Sequence, residues 1–133
     1  MEIQRMKPEI KALWVDALRS GEYQQGQNKL HVWDEEGTES FCCLGVLCDL
    51  AVNNGVEVTV VDIDDDGMYC YENEVEFLPR EVMEWSGVWS KDGEYEFEGN
   101  PNAFGNNLRG KLTSMNDAGV PFSDIADEIE KWL

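Results

Sequence analysis

The sequence predicts an α+β fold: a single domain spanning residues 1–133, with a small antiparallel sheet packed around a central apolar helix (41–53) and flanking helices. Three observations carry that expectation. Phe41–Val52 reads FCCLGVLCDLAV, an apolar run interrupted only by Gly45 and Asp49. Stretches of 3.6-residue periodicity lie near both ends of the chain, and short β-branched or alternating runs lie between them. A helix of this central length is about 20 Å long, too short to cross a bilayer, and being apolar on nearly every side it must be covered on nearly every side.

In order along the chain, Pro8 suits a first helical turn, and Ile10, Leu13, Trp14, Ala17 and Leu18 recur at helical spacing until Gly21 stops the helix. Tyr23–Asn28 reads as a polar loop. Leu30–Trp33 alternates like a short strand, and Asp34-Glu35-Glu36-Gly37 turns the chain into the central helix. Gly45 costs about 1 kcal/mol relative to alanine in mid-helix, which is tolerable where another element packs on the bare backbone. Asn53-Asn54-Gly55 closes that helix with residues that accept a left-handed cap. Val56–Ile63 and Met68–Phe77 read as a hairpin joined by Asp64-Asp65-Asp66-Gly67. Pro79 opens a short helix through Trp85, with Val82 and Met83 inward. Gly93–Glu98 alternates as a strand, Leu108, Leu112 and Met115 mark a helix, and Phe122, Ile125, Ile129 and Trp132 form the stripe of the last one.

The composition, 42% apolar and 11% aromatic, is that of a globular chain and not of a disordered acidic tail. Its length suffices for a core without metals or disulfides. No apolar stretch follows Met1–Arg5 as in a secretory signal and none reaches a membrane span, so a cytoplasmic location is expected. The four cysteines read as buried free thiols; one histidine and no C-x-x-C make a zinc site a poor reading. The net charge of −18 is concentrated: residues 34–98 hold 19 acids against Arg80 and Lys91. That excess argues against direct nucleic-acid binding, which needs cations, and toward a basic partner, a metal, or solubility alone.

Trp14–Gly26 (WVDALRSGEYQQG), Phe41–Leu50 (FCCLGVLCDL), Leu112–Gly119 (LTSMNDAG) and Phe122–Glu130 (FSDIADEIE), with Leu78-Pro79 and Asn100-Pro101, resemble a widespread family of small proteins of tailed bacteriophages and prophages. The motifs keep the family's order and span nearly the whole chain. The resemblance implies a setting, the infected bacterial cell, and a role as an accessory protein; it carries no mechanism.

Four groups of residues bear on chemistry. Asp62, Asp64 and Asp66, followed by Gly67, match the first half of a calcium loop, but the twelfth position holds Asn73 where a bidentate glutamate belongs, and strands flank it, so an acidic hairpin tip is the better account. Glu72, Glu74 and Glu76 on one strand and Glu94, Glu96 and Glu98 on another would form carboxylate rows about 6.6 to 6.8 Å in repeat, a partner-binding face or a mimic of a phosphate backbone. Tyr23, Gln25, Trp33, Asp49, Asn100, Asn102 and Asn106 are candidates to line a small-molecule pocket. Asp49 must reach water, a helix N-terminus or a cation such as Arg19. His31, on a short edge strand, is expected to be solvated, with only a remote reading as a base for Cys43 or Cys48.

No catalytic set and no cofactor site emerge from these residues. The expected function is binding: an acidic accessory protein engaging a basic surface of a host or phage protein. The alternative is a nucleotide-like ligand held between polar loops, as in a counter-defence sponge, and an enzyme comes third.

Overall fold

The computed structural model of the chain describes residues 6–63, 67–101 and 107–133, with side chains described everywhere in these except at 96–101 and 107–109. The elements are α1 (Pro8–Ser20), β1 (His31–Trp33), β2 (Glu39–Phe41), α2 (Cys43–Asn53), β3 (Val60–Ile63), β4 (Met68–Tyr71), α3 (Arg80–Ser86), β5 (Glu94–Pro101), β6 (Asn107–Lys111), α4 (Leu112–Asp117) and α5 (Phe122–Trp132). One four-stranded antiparallel sheet has the order β2-β1-β4-β3, and β5 pairs with β6 in a second. The α+β class and the central apolar helix are as the sequence predicts.

Helix α2 is enclosed: Cys43, Leu44, Val46, Leu47, Cys48 and Ala51 are all fully buried. Helices α1, α3 and α4 and strand β2 pack on it, and α5 lies along α1. Trp14 fills the join between α1 and α2 and donates its indole N–H to the Cys43 carbonyl at 2.9 Å, so the largest buried ring leaves no polar atom unsatisfied. Gly45 meets the Leu30 backbone, where a Cβ would stand 1.7 Å from the carbonyl oxygen. This close approach of the chain beside β1 is what a bare glycine in mid-helix permits.

Several boundaries differ from the sequence reading. The central helix begins at Cys43; Phe41 belongs to β2, and Cys42 is the N-cap, its Sγ accepting from Gly45 N. The Asp34–Gly37 turn therefore closes a β1–β2 hairpin instead of leading into the helix. Strand β3 starts at Val60 and β4 ends at Tyr71, because Glu72 and Asn73 take left-handed backbone conformations (φ 52° and 69°) that break the ladder. Leu108 lies on β6, not on a helix. Along α1, Leu13 is exposed and Val15 takes the inward place. Among the described residues no helix is long and apolar enough to cross a membrane.

Candidate functional site

The motif residues meet at the N-terminus of α2, where three segments distant in sequence are laced together. Asn116, fully buried on α4, accepts from Cys43 N (3.2 Å) and from Gln25 Nε2 (3.0 Å), and its Nδ2 donates to the Gly26 carbonyl (2.7 Å). Gln25 also donates to the Val120 carbonyl (2.7 Å) and accepts from Phe122 N (3.2 Å), capping α5. Asp117 accepts from Asn28 N at 2.8 Å. An orphan amide of α2, an orphan amide of α5 and the carbonyls of Gly26 and Val120 are thereby satisfied by two side-chain amides. With these three hydrogen bonds, the half-buried Gln25 side chain is a structural clasp.

One face of the four-stranded sheet holds a second network, centred on His31. The imidazole stacks between Phe41 (3.9 Å between centroids) and Tyr69 (4.2 Å). Its Nε2 lies 2.8 Å from Glu39 Oε1 and its Nδ1 2.8 Å from the Tyr71 hydroxyl. A carboxylate only accepts, so Nε2 carries the proton, and Nδ1 of the neutral ring accepts from Tyr71 O–H. Burial lowers the His31 pKa, an effect partly opposed by Glu39. The solvated edge histidine expected from sequence is thus a buried one on an inner strand, 7% exposed, and it contacts a phenol and a carboxylate. Beside it, Tyr23 packs edge-on against Phe41 and donates to Asp49 Oδ2 at 2.5 Å, while Asn53 donates to the same oxygen at 3.2 Å. Arg19, the cation considered for Asp49, instead binds Asp127 and Glu130 of α5.

A chain of Glu39, His31 and Tyr71 has the order of a proton relay, but Tyr71, at its inner end, is only 2% exposed. Cys42, Cys43 and Cys48 are buried, and burial pushes their thiols up, Cys42 to about 11, the reverse of an activated nucleophile.

An acidic surface feature lies at one end of that sheet. Trp33 N donates to the Gly67 carbonyl (2.8 Å), and its indole N–H crosses β4 to Asp62 Oδ1 on β3 (3.2 Å). The β1–β2 turn and residues Asp62, Ile63 and Gly67 therefore stand at the same end of the sheet. In the turn, Asp34 Oδ1 accepts from Glu36 N and Thr38 N, both at 2.9 Å, and Gly37 takes a left-handed φ of 83°. This short turn holds Asp34, Glu35 and Glu36 out to solvent, and among the described residues none of them, nor Asp62, has a basic partner.

The other predicted residues are dispersed. Glu72 accepts from Thr59 N, Glu76 pairs with Lys29 at 2.5 Å, and with β4 ending at Tyr71 these residues and Glu74 make no strand row. Glu94 and Glu96 stand in register opposite Lys111 and Arg109 on β6; the side chains of Glu96 and Glu98 lie outside the described set. Of the pocket candidates, Tyr23 and Asp49 come together, whereas Gln25 sits in the clasp and Trp33 at the acidic end of the sheet. The Asn100 side chain, Asn102 and Asn106 lie outside the described residues, as do Asp64 and Asp66 of the calcium candidate. Among the described residues no group of three His, Cys, Asp or Glu could hold a metal ion. A cavity of about 130 Å³ opens between Asn28, Cys42, Glu76, Phe77, Thr113 and Asp117.

The model of a domain of unknown function, DUF8296, matches residues 6–133. The chain belongs to this family. No curated protein and no solved structure matches it. The DUF8296 match runs from Met6, two residues before α1, to the last residue, so it includes the clasp, the His31 network and the acidic end of the sheet alike. Sequence reasoning missed the His31 network because Glu39, His31 and Tyr71 are brought together only by strand pairing. Its one local signal was the alternation of Glu39 and Phe41 two residues before the helix.

Proposed function

We propose that this DUF8296 protein acts by binding, as an accessory protein of a tailed phage or prophage in the host bacterial cytoplasm. Its ligand in this reading is a basic surface on a host or phage protein, engaged by the sheet end that carries Asp34, Glu35, Glu36 and Asp62. The observation that carries the proposal is the gathering of these exposed carboxylates, without basic partners among the described residues, around the half-buried Trp33. Carboxylates so placed steer a cationic partner, and an indole beside them supplies the kind of aromatic anchor on which interface energy concentrates.

The nucleotide-like alternative receives less support: of its candidate residues, Tyr23 and Asp49 are hydrogen-bonded to each other, Gln25 joins the 23–28 loop to α4 and α5, and Trp33 stands at the acidic end of the sheet.

The test is capture from bacterial lysate on the tagged protein, washed at about 0.05 M and about 0.3 M salt, a range over which screening shortens markedly. The parent chain is compared with a Glu35→Lys, Glu36→Lys double variant. The expected result is a captured protein that leaves as salt rises and is absent from the double variant, whose thermal unfolding matches the parent. Capture indifferent to both salt and the double substitution would overturn the reading.

A further inference from the structure

We propose that the outer edge of β3 is a docking edge, onto which an extended lysine- or arginine-bearing segment of the partner adds as a further strand. The inference rests on the reading that the partner is basic, and it specifies how that partner is held. The two edges of the four-stranded sheet are unlike. Beyond β2, the segment Gln24–Gly26 covers the edge at Phe41: Phe41 N donates to the Gln24 carbonyl at 2.9 Å and Gly26 N to the Phe41 carbonyl at 2.7 Å. Beyond β3, no strand is paired among the described residues. Unpaired backbone donors and acceptors along such an edge are a template for a further strand.

The side chains of β3 do little to guard it. Val60 and Val61 are 40% and 48% exposed, on opposite faces of the sheet, and Val60–Ile63 contains no proline, lysine or glycine. The one charge, Asp62, is drawn sideways over β4 by the Trp33 indole, away from the free edge. Charge decides between occupants. A second copy would bring a chain of net charge −18 and the exposed acids Glu57 and Asp62 against their own likeness, which is unfavourable. A strand with apolar residues on the Val61 face and cations on the Asp62 face satisfies both surfaces.

The probe is a heptapeptide of alternating lysine and valine, compared with the same peptide N-methylated at alternate amides, which keeps charge and removes backbone donors. Binding to the full-length protein is followed by amide chemical shifts and hydrogen exchange. The expected result is new protection at Val60–Ile63 with the unmodified peptide, and binding at least about tenfold weaker after N-methylation, the loss of two or so hydrogen bonds. Equal binding of both peptides, with shifts confined to Asp34–Glu36, would overturn the docking edge and leave the acidic-surface reading standing. Binding of neither at low salt would overturn both. Protection of β3 that grows with protein concentration alone, with a dimer in sedimentation, would assign the edge to a second copy instead.

Discussion

The carbonyl of Leu30 and the α-carbon of Gly45 approach so closely that any side chain at 45 would collide with backbone, a methyl standing 1.7 Å from the oxygen. Neither side can yield easily. The same carbonyl accepts from Cys42 N at 3.2 Å, Leu30 N donates to the Val75 carbonyl at 2.7 Å, and the α2 backbone at Gly45 is fully enclosed. The junction of β1 with the central helix therefore depends on the absence of one methyl group.

Gly45→Ala is accordingly expected to destabilise, although alanine is the better helix former by about 1 kcal/mol. Overpacking against backbone costs at the upper end of the usual 1–3 kcal/mol, so a net loss of about 2 kcal/mol or more and a Tm lower by several degrees are expected. Urea denaturation of the two proteins measures it. An unchanged or raised midpoint would mean that the strand and helix can part at no cost.

Asn116→Ala removes the partner of three groups at once: Cys43 N, Gln25 Nε2 and the Gly26 carbonyl. Each buried group left unsatisfied costs about 1–3 kcal/mol, less wherever water can enter. The expected loss is about 3 kcal/mol or more, with the 23–28 loop and the N-termini of α2 and α5 losing hydrogen-exchange protection first. A loss below about 1 kcal/mol, with protection intact, would show that the clasp is not what joins these segments.

For His31 the sign follows from the lowered pKa. Its folded-state value lies below the unfolded 6.5, so the folded protein binds the proton less readily than the unfolded chain. The contribution is fully present above pH 6.5 and is lost as pH falls from there through the folded value. Since the chain has one histidine, its imidazole signal in an NMR titration is unambiguous. A midpoint below 6.5 is expected, together with a fall in urea midpoint between about pH 7 and 5 that is shallower in His31→Asn. A midpoint above 6.5 would mean that Glu39 outweighs burial.

Most of the helical framework was legible in the chain. Pro8 and Gly21 bound α1 because ring constraint and positive φ (79° at Gly21) act locally. The apolar run was legible as core because a helix apolar on nearly every side must be covered on nearly every side, and Cys43–Cys48 and Ala51 are buried while Val52, at its end, is exposed. Leu13 and Val15 show the limit of periodicity: both fit a helical stripe within a few tens of degrees, and the folded chain buries Val15 and leaves Leu13 exposed.

The strands were less legible. β2 is three residues long and β6 carries one asparagine, one leucine, one glycine and two cations, so neither has a pattern of its own. Gly110 on β6 fits because the Tyr95 ring lies where its side chain would be, a contact between strands fifteen residues apart. β4 stops at Tyr71 because left-handed backbone at Glu72 and Asn73 breaks the ladder, although the residues beyond still look like strand.

The sequence alone determined the fold class, the identity of the central helix and the concentration of negative charge in the middle of the chain, because hydrophobic periodicity and formal charge are properties of residues in order. The tertiary structure decided everything that depends on pairing. It buried His31 between Phe41 and Tyr69, set Glu94 and Glu96 opposite cations, gave Asp49 a phenol instead of a guanidinium, and collected Asp34, Glu35, Glu36 and Asp62 at one end of a sheet. Those outcomes turn on strand register, where a shift of one residue sends each side chain to the opposite face, and register is settled by contacts between segments, not within them.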